Sequence, residues 1–125
     1  MFEAIRPTFH LILHVLVPFI MAKLLVKNTN QQVSNQQDSK AQVKYTDSWQ
    51  QAFIVMMLTM VVDIDHLLAE PIYQAGRCSI NFHPLHTPIP IAIYVALCIP
   101  KKTRVIGLGL VIHMILDSLD CYMMK

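Results

Sequence analysis

The chain has 125 residues, of which 54% are hydrophobic and 14% charged, with a formal net charge of +2. That length allows a single domain, and the charged share is well below the roughly one quarter usual in soluble domains. There is no basic patch or aromatic-interleaved run, which excludes a nucleic-acid-binding footprint. Cys78, Cys98 and Cys121 form no CxxC pair and are odd in number, so neither a disulfide scaffold nor a cysteine zinc finger is expected; free, partly buried thiols are.

In chain order, an apolar stretch from about Thr8 to Val26 is long enough to span hydrocarbon. Arg6 precedes it, but no convincing small-x-small cleavage site follows, so a retained helix is expected rather than a signal peptide. Residues 28–48 are rich in Asn, Gln, Ser and Lys and predict a flexible polar loop that cannot bury a core. A second apolar helix is predicted from about Trp49 to Ala69. A third, short one from about Thr87 to Ile99 opens with Pro88 and Pro90, which a first helical turn tolerates. Pro100 and the polar Lys101–Lys102 turn close it, and a fourth helix runs from about Thr103 to Met124. Met56 to Met60 reads as core packing and Gly107-Leu-Gly109 as close helix contact. The predicted fold is all-α: one integral membrane domain over residues 1–125, a four-helix bundle with one short helix and a polar loop after the first.

Positive charge is uneven between the two sides of such a bundle. Loops one and three carry Lys23, Lys27, Lys40, Lys44, Lys101, Lys102 and Arg104, whereas the termini and loop two carry Arg6, Arg77 and Lys125. The positive-inside rule then places loops one and three in the cytoplasm, and both termini and loop two outside.

All six histidines fall in four short clusters, two of which include carboxylates: His10-x3-His14, Asp63-Ile-Asp65-His66, His83-Pro-Leu-His86, and His113-x3-Asp117 followed by Asp120. The predicted topology puts all four near the outer surface. An Asp near a bilayer centre costs roughly 2.5–3.5 kcal/mol, so Asp63, Asp65 and Asp117 together would cost roughly 8–10 kcal/mol without partners. A structural zinc ion can contribute about 10–16 kcal/mol, enough to offset the set. Taken singly, each cluster also reads as interfacial polar residues, a polar loop or a helix end; taken together they point to a metal site. On helices, His10 and His14 share a face, as do Asp63 and His66, and as do His113, Asp117 and Asp120. Asp65 points about 200° from Asp63 at 100° per residue, which suits a general base or a group orienting a ligand from behind.

Imidazole with carboxylate suits a divalent ion, Zn²⁺ first, with Mn²⁺ or Fe²⁺ as alternatives. The candidate ligands are His14, Asp63, His66, His86, His113 and Asp117, with His10, His83 and Asp120 in reserve and Asp65 as the candidate catalytic residue. More than four ligands leave room for two ions, the arrangement that clamps oxygens in phosphoester hydrolysis. Arg77 could hold a substrate phosphate or sit among headgroups.

The segments Leu13-His14-x3-Pro18, Thr59-Met-Val-Val-Asp63-Ile-Asp65-His66-Leu-Leu-Ala, Arg77-Cys-Ser-Ile-Asn-Phe-His83-Pro-Leu-His86 and Gly107-x5-His113-x3-Asp117 resemble a small uncharacterised family of bacterial membrane proteins. More distantly they resemble LexA-binding, inner-membrane-associated metal-dependent hydrolases. The resemblance covers all but the polar loop. It implies a bacterial inner-membrane location, metal ligation by the matching His and Asp residues, and hydrolytic activity. The expectation is a membrane-embedded, divalent-metal-dependent hydrolase acting on a phosphoester or lipid-linked substrate at the outer surface of the bilayer. The rival readings are a non-catalytic metal-binding, sensing or transport protein and a bis-His haem protein, the latter disfavoured by the clustered Asp.

Overall fold

A computed structural model of the protein describes residues 2–35, 49–72, 74 and 76–124. Every regular element among them is helical. They are α1 (Phe2–Asn35), α2 (Trp49–Leu58) running directly into a 3₁₀ helix (Thr59–Leu68), a short 3₁₀ turn (Pro84–His86), α3 (Pro88–Leu97) and α4 (Arg104–Met123). This is the predicted all-α, four-helix architecture. Ala4–Lys27, Trp49–Leu68 and Arg104–Met123 are long and apolar enough to cross a membrane. α1 continues to Asn35, past its predicted end at Val26; the rest of the predicted polar loop, 36–48, lies outside the described residues.

The second span changes winding halfway. Thr59, buried where the α-helix stops, donates its hydroxyl to the Met56 carbonyl, and from there the turn tightens to 3.0 residues. Side chains three apart then eclipse, and the segment becomes a three-sided prism. Thr59, Val62 and Asp65 are buried in the bundle. Met60, Asp63 and His66 line a cavity. Val61, Ile64 and Leu67 are 69%, 60% and 63% exposed, the apolar side that a lipid-facing span requires. Ten residues of 3₁₀ helix exceed the usual three or four; here each of the three faces has a different environment.

α4 is the centre of the bundle, packing against α1, α2, the 3₁₀ helix and α3. Its two glycines set how close the neighbours come. A Cβ on Gly107 would lie 2.6 Å from the backbone nitrogen of Cys98, at the end of α3, and one on Gly109 would lie 2.7 Å from Thr59 Oγ1. Two apolar clusters flank this line. Ala22, Ala52, Met56 and Val105 fill one end of the bundle; Val62, Tyr94 and Met114 fill the other, against Ile80 and Leu85 of the long loop.

α3 has only ten residues, about 15 Å of helix against a hydrocarbon layer of about 30 Å. It can be this short because its start is already deep. The loop before it folds into the bundle, so that His83 and His86 are 3% and 0% exposed and His86 lies level with Asp117 of α4. Non-helical backbone at that depth is tolerated where protein rather than lipid surrounds it. The backbone N–H of Leu85 donates to Asp65, Tyr94 donates its hydroxyl to the Leu85 carbonyl, and Asn81, in the left-handed region at φ 64°, donates its N–H to the His86 carbonyl.

Gly107→Ala should destabilise the bundle by about 1–3 kcal/mol, the range for overpacking, because the added methyl meets backbone that has no side chain to rotate away. A fall in the thermal midpoint of detergent-solubilised protein checks this; an unchanged midpoint would mean that α3 and α4 are not this close.

Candidate metal centre

Four elements deliver ionisable side chains to one end of the bundle. The first half of α1 brings His10 and His14, the 3₁₀ helix brings Asp63, Asp65 and His66, the long loop brings His83 and His86, and α4 brings His113 from its middle and Asp117 one turn on. Asp63, His66, His86 and Asp117 each offer a ligand atom, all within 4.8 Å of one another. His86 Nε2 is 3.0 Å from Asp117 Oδ2 and 3.7 Å from Asp63 Oδ1, and His66 Nδ1 is 3.4 Å from Asp63 Oδ1. Tetrahedral coordination with bonds of about 2.1 Å has edges of about 3.4 Å, so the set has the spacing of one ion's coordination shell. His113 Nε2 joins it from the side, 2.9 Å from Asp63 Oδ1 and 3.6 Å from Asp117 Oδ2.

Hydrogen bonding alone leaves this cluster incomplete. His66 Nδ1, His86 Nε2, Asp65 Oδ1 and Asp117 Oδ2 are buried without a hydrogen-bond partner of acceptable geometry. A buried polar atom without a partner costs about 1–3 kcal/mol, and several converging on one point is what a cation would satisfy. The residues present fit a divalent ion on those grounds, two carboxylates and two imidazoles being a donor set for Zn²⁺, Mn²⁺ or Fe²⁺.

The far sides of the imidazoles are held. His86 Nδ1 is 3.1 Å from Asp65 Oδ2, and His66 Nε2 is 3.0 Å from Ser79 Oγ. Both bonds leave the other ring nitrogen facing the cluster, the outer-partner arrangement usual for metal-ligating histidines. α-Helical spacing turned Asp65 away from Asp63. At 120° per residue of 3₁₀ helix the two are one prism face apart, which lets Asp63 reach the cluster while Asp65 stands behind His86. His113 Nδ1 rests on Met60 Sδ at 3.3 Å.

The two loop histidines are electrostatically opposite. Burial pushes the His83 imidazole below its ordinary value, with the nearby His66, His86 and Arg77 adding to the effect against Asp65. Burial acts on His86 in the same direction, but the close carboxylates of Asp117, Asp63 and Asp65 prevail and raise it to about 10. Without a metal, His86 is therefore a cation among three carboxylates.

A cavity of about 370 Å³ opens beside the cluster, lined among others by Arg6, His10, His14, Asp63, His66 and Arg77. Arg6 is buried at its edge and lies 3.7 Å from Asp120. This contact takes up Asp120, which lies in none of the candidate ligand groups among the described residues. Arg77 donates to the carbonyls of Pro71 and Ile72 and stacks over Phe82.

The cysteine expectation is corrected. Cys78 and Cys121 form a disulfide across 43 residues, while Cys98 is free as expected. The disulfide pins the loop that carries Ser79, His83 and His86 to the end of α4. Their spacing in sequence gave no sign of pairing, but both cysteines adjoin residues predicted at the same membrane surface, Arg77 and Asp120. Sequence reasoning also missed Ser79, Met60 and Tyr94. Tyr94 alone carried a signal, as the one polar group within an apolar helix.

Among known proteins, the family DUF6122, described as a family of unknown function, matches residues 39–124. The match contains Asp63, Asp65, His66, His83, His86, His113 and Asp117 but not His10 or His14. No curated protein and no solved structure matches.

Thiol labelling of the purified, denatured protein should modify one cysteine per chain before reduction and three after. Three labels without reduction would mean that Cys78 and Cys121 are not joined.

Proposed function

This chain belongs to DUF6122, and since that membership brings no activity with it, we propose from the site alone that the protein is a membrane-embedded, divalent-metal-dependent hydrolase of a phosphoester carried by a lipid or lipid-like tail. The observation that carries the reading is the convergence of Asp63, His66, His86 and Asp117, from three separate elements, to within 4.8 Å. Zn²⁺ is the first candidate, with Mn²⁺ or Fe²⁺ as alternatives. Bound there, the ion supplies Lewis acidity toward a phosphoryl oxygen and brings a water within reach of ionisation near neutral pH.

The chain's own residues supply the rest. Arg6 and Arg77 put two guanidinium groups on the cavity wall, suited to the non-reacting oxygens of a phosphate. Leu11 and Ile72 also line that cavity and are exposed on the outside of the bundle, an apolar lip along which a lipid tail can lie. Asp65 holds the His86 ring and the Leu85 N–H, and it is absent from the lining of this cavity. The proton acceptor is therefore His83, which lines the cavity and is kept neutral at pH 7 by its burial.

Two observations support an outward-facing site in the plasma membrane. The charge asymmetry favours this end outside, and a disulfide beside the site suits an oxidising compartment. A transport role is less well supported, because Ala22, Ala52, Met56 and Val105 close the opposite end of the bundle with apolar side chains.

Elemental analysis with a paired activity assay tests the reading. Purified protein should carry divalent metal and cleave a lipid phosphate faster than a short soluble phosphoester. His86→Ala and Asp63→Asn should lose both metal and turnover, and Arg77→Gln should raise KM more than it lowers kcat. Metal bound without turnover on either substrate would leave a binding protein; no metal would sink the proposal.

Metal binding must also expel the proton that His86 holds in the metal-free molecule. Affinity should therefore rise with pH by about tenfold per unit between pH 6.5 and 8.5, where His86 would otherwise stay protonated. Competition titrations at three pH values measure this slope. A slope of zero would show that His86 is not displaced.

A further inference from the structure

Asp117 turns its two oxygens to different sets of imidazoles. Oδ2 faces His86 and His113, as described. Oδ1 lies 3.2 Å from His10 Nε2 and 3.3 Å from His14 Nε2, and those two nitrogens are 2.9 Å apart. Three polar atoms thus close a triangle with edges of 2.9 to 3.3 Å, and His14 and Asp117 are 3% and 5% exposed.

Protons cannot satisfy this triangle. A neutral imidazole has one N–H, on one of its two nitrogens. If both Nε2 atoms carry hydrogen and donate to Asp117, two N–H groups are pressed together at 2.9 Å. If His10 donates to His14, the filled Nε2 lone pair of His14 is already used and Asp117 Oδ1 faces it without a proton between them. Every placement of hydrogens on the two Nε2 atoms, whether the rings are neutral or protonated at Nδ1 as well, leaves one edge between like groups. A cation makes all three attractive, and the edges are close to those of one face of a tetrahedral shell.

We propose that His10, His14 and Oδ1 of Asp117 form a second divalent-cation position, joined to the first through Asp117 as a bridging carboxylate. The inference rests on the metal-dependent reading above and makes the centre dinuclear. Three protein ligands leave one side open, as in catalytic rather than structural sites. His10 and His14 line the same cavity as Asp63 and His66, so a phosphate entering it meets both positions. Two ions about 3.5–4 Å apart can hold the attacking and leaving oxygens of a phosphoester together. The third group of candidate ligands, Asp65, His66 and His83, is not independent, because it shares His66 with the first position and Asp65 Oδ2 already holds His86. The first position draws only on residues 39–124, whereas the second adds α1, outside the family match.

The full-length protein in detergent, stripped of metal and reloaded with Mn²⁺, tests this by elemental analysis and electron paramagnetic resonance. Two ions per chain with a spin-coupled signal are expected. His10→Ala/His14→Ala should hold one ion with an uncoupled signal. His10→Gln and His14→Gln, which keep more of the side-chain volume, should each weaken the second ion at least tenfold if the double variant does not fold. One ion per chain in the unaltered protein, lost in His86→Ala, would overturn the second position and leave the first standing. Two coupled ions in the double variant would overturn it as well. No bound ion in the unaltered protein would overturn both readings.

Discussion

A carboxylate withdrawn from water inside an apolar bundle has to be compensated by whatever surrounds it, and Asp117 is that carboxylate here. α4 is the most enclosed helix, and Asp117 sits well inside it, 5% exposed. His10 and His14 approach it from α1, His86 from the loop and His113 from one turn below on α4 itself. Much of the architecture answers to this one group. The long loop dips into the bundle because His86 has to reach Asp117, and α3 is short because the loop has already covered part of the depth. Breaking a buried pair by removing one partner typically costs about 3–5 kcal/mol, so the same contacts that build the cluster also fix how the helices meet.

The layers around Asp117 divide the labour. Asp65 and Ser79 touch the back of the imidazoles and fix which nitrogen faces inward, Asp65 from outside the cavity and Ser79 from its wall. Glycines at 107 and 109 bring α3 and the start of the 3₁₀ helix close to α4, and the disulfide ties the loop to the end of the same helix. Helices, and a loop tied to them by hydrogen bonds and a disulfide, thus hold every part of the cluster, which suits a site requiring sub-ångström placement.

Much of this was legible in the sequence. The apolar spans, the short third helix and the grouping of His and Asp at one end follow from hydropathy, charge asymmetry and helical spacing, because each is a local or one-dimensional property. Three features were not. The winding of Thr59–Leu68 is one: its apolar pattern permits an α-helix equally well, and the choice is made by Thr59, by Gly109 behind it and by three different surroundings. The inward course of residues 79–87 is another, since its hydrogen bonds run to Asp65 and Tyr94, distant in sequence. The third is the Cys78–Cys121 pairing, which depends on two chain segments 43 residues apart meeting in space. The family match, which starts at residue 39, likewise gives no hint that α1 completes the surroundings of Asp117.

The prism-like course of residues 59–68 also limits how this stretch can change in length. One inserted or deleted residue would turn everything beyond it by a third of a revolution, sending Asp63 or Asp65 toward hydrocarbon and a leucine toward the imidazoles. Only a gain or loss of three residues brings each side back to its own neighbour. Tolerated length variation in this span should therefore come in triplets, a counting rule that an ordinary α-helix, with its non-integral repeat, does not impose.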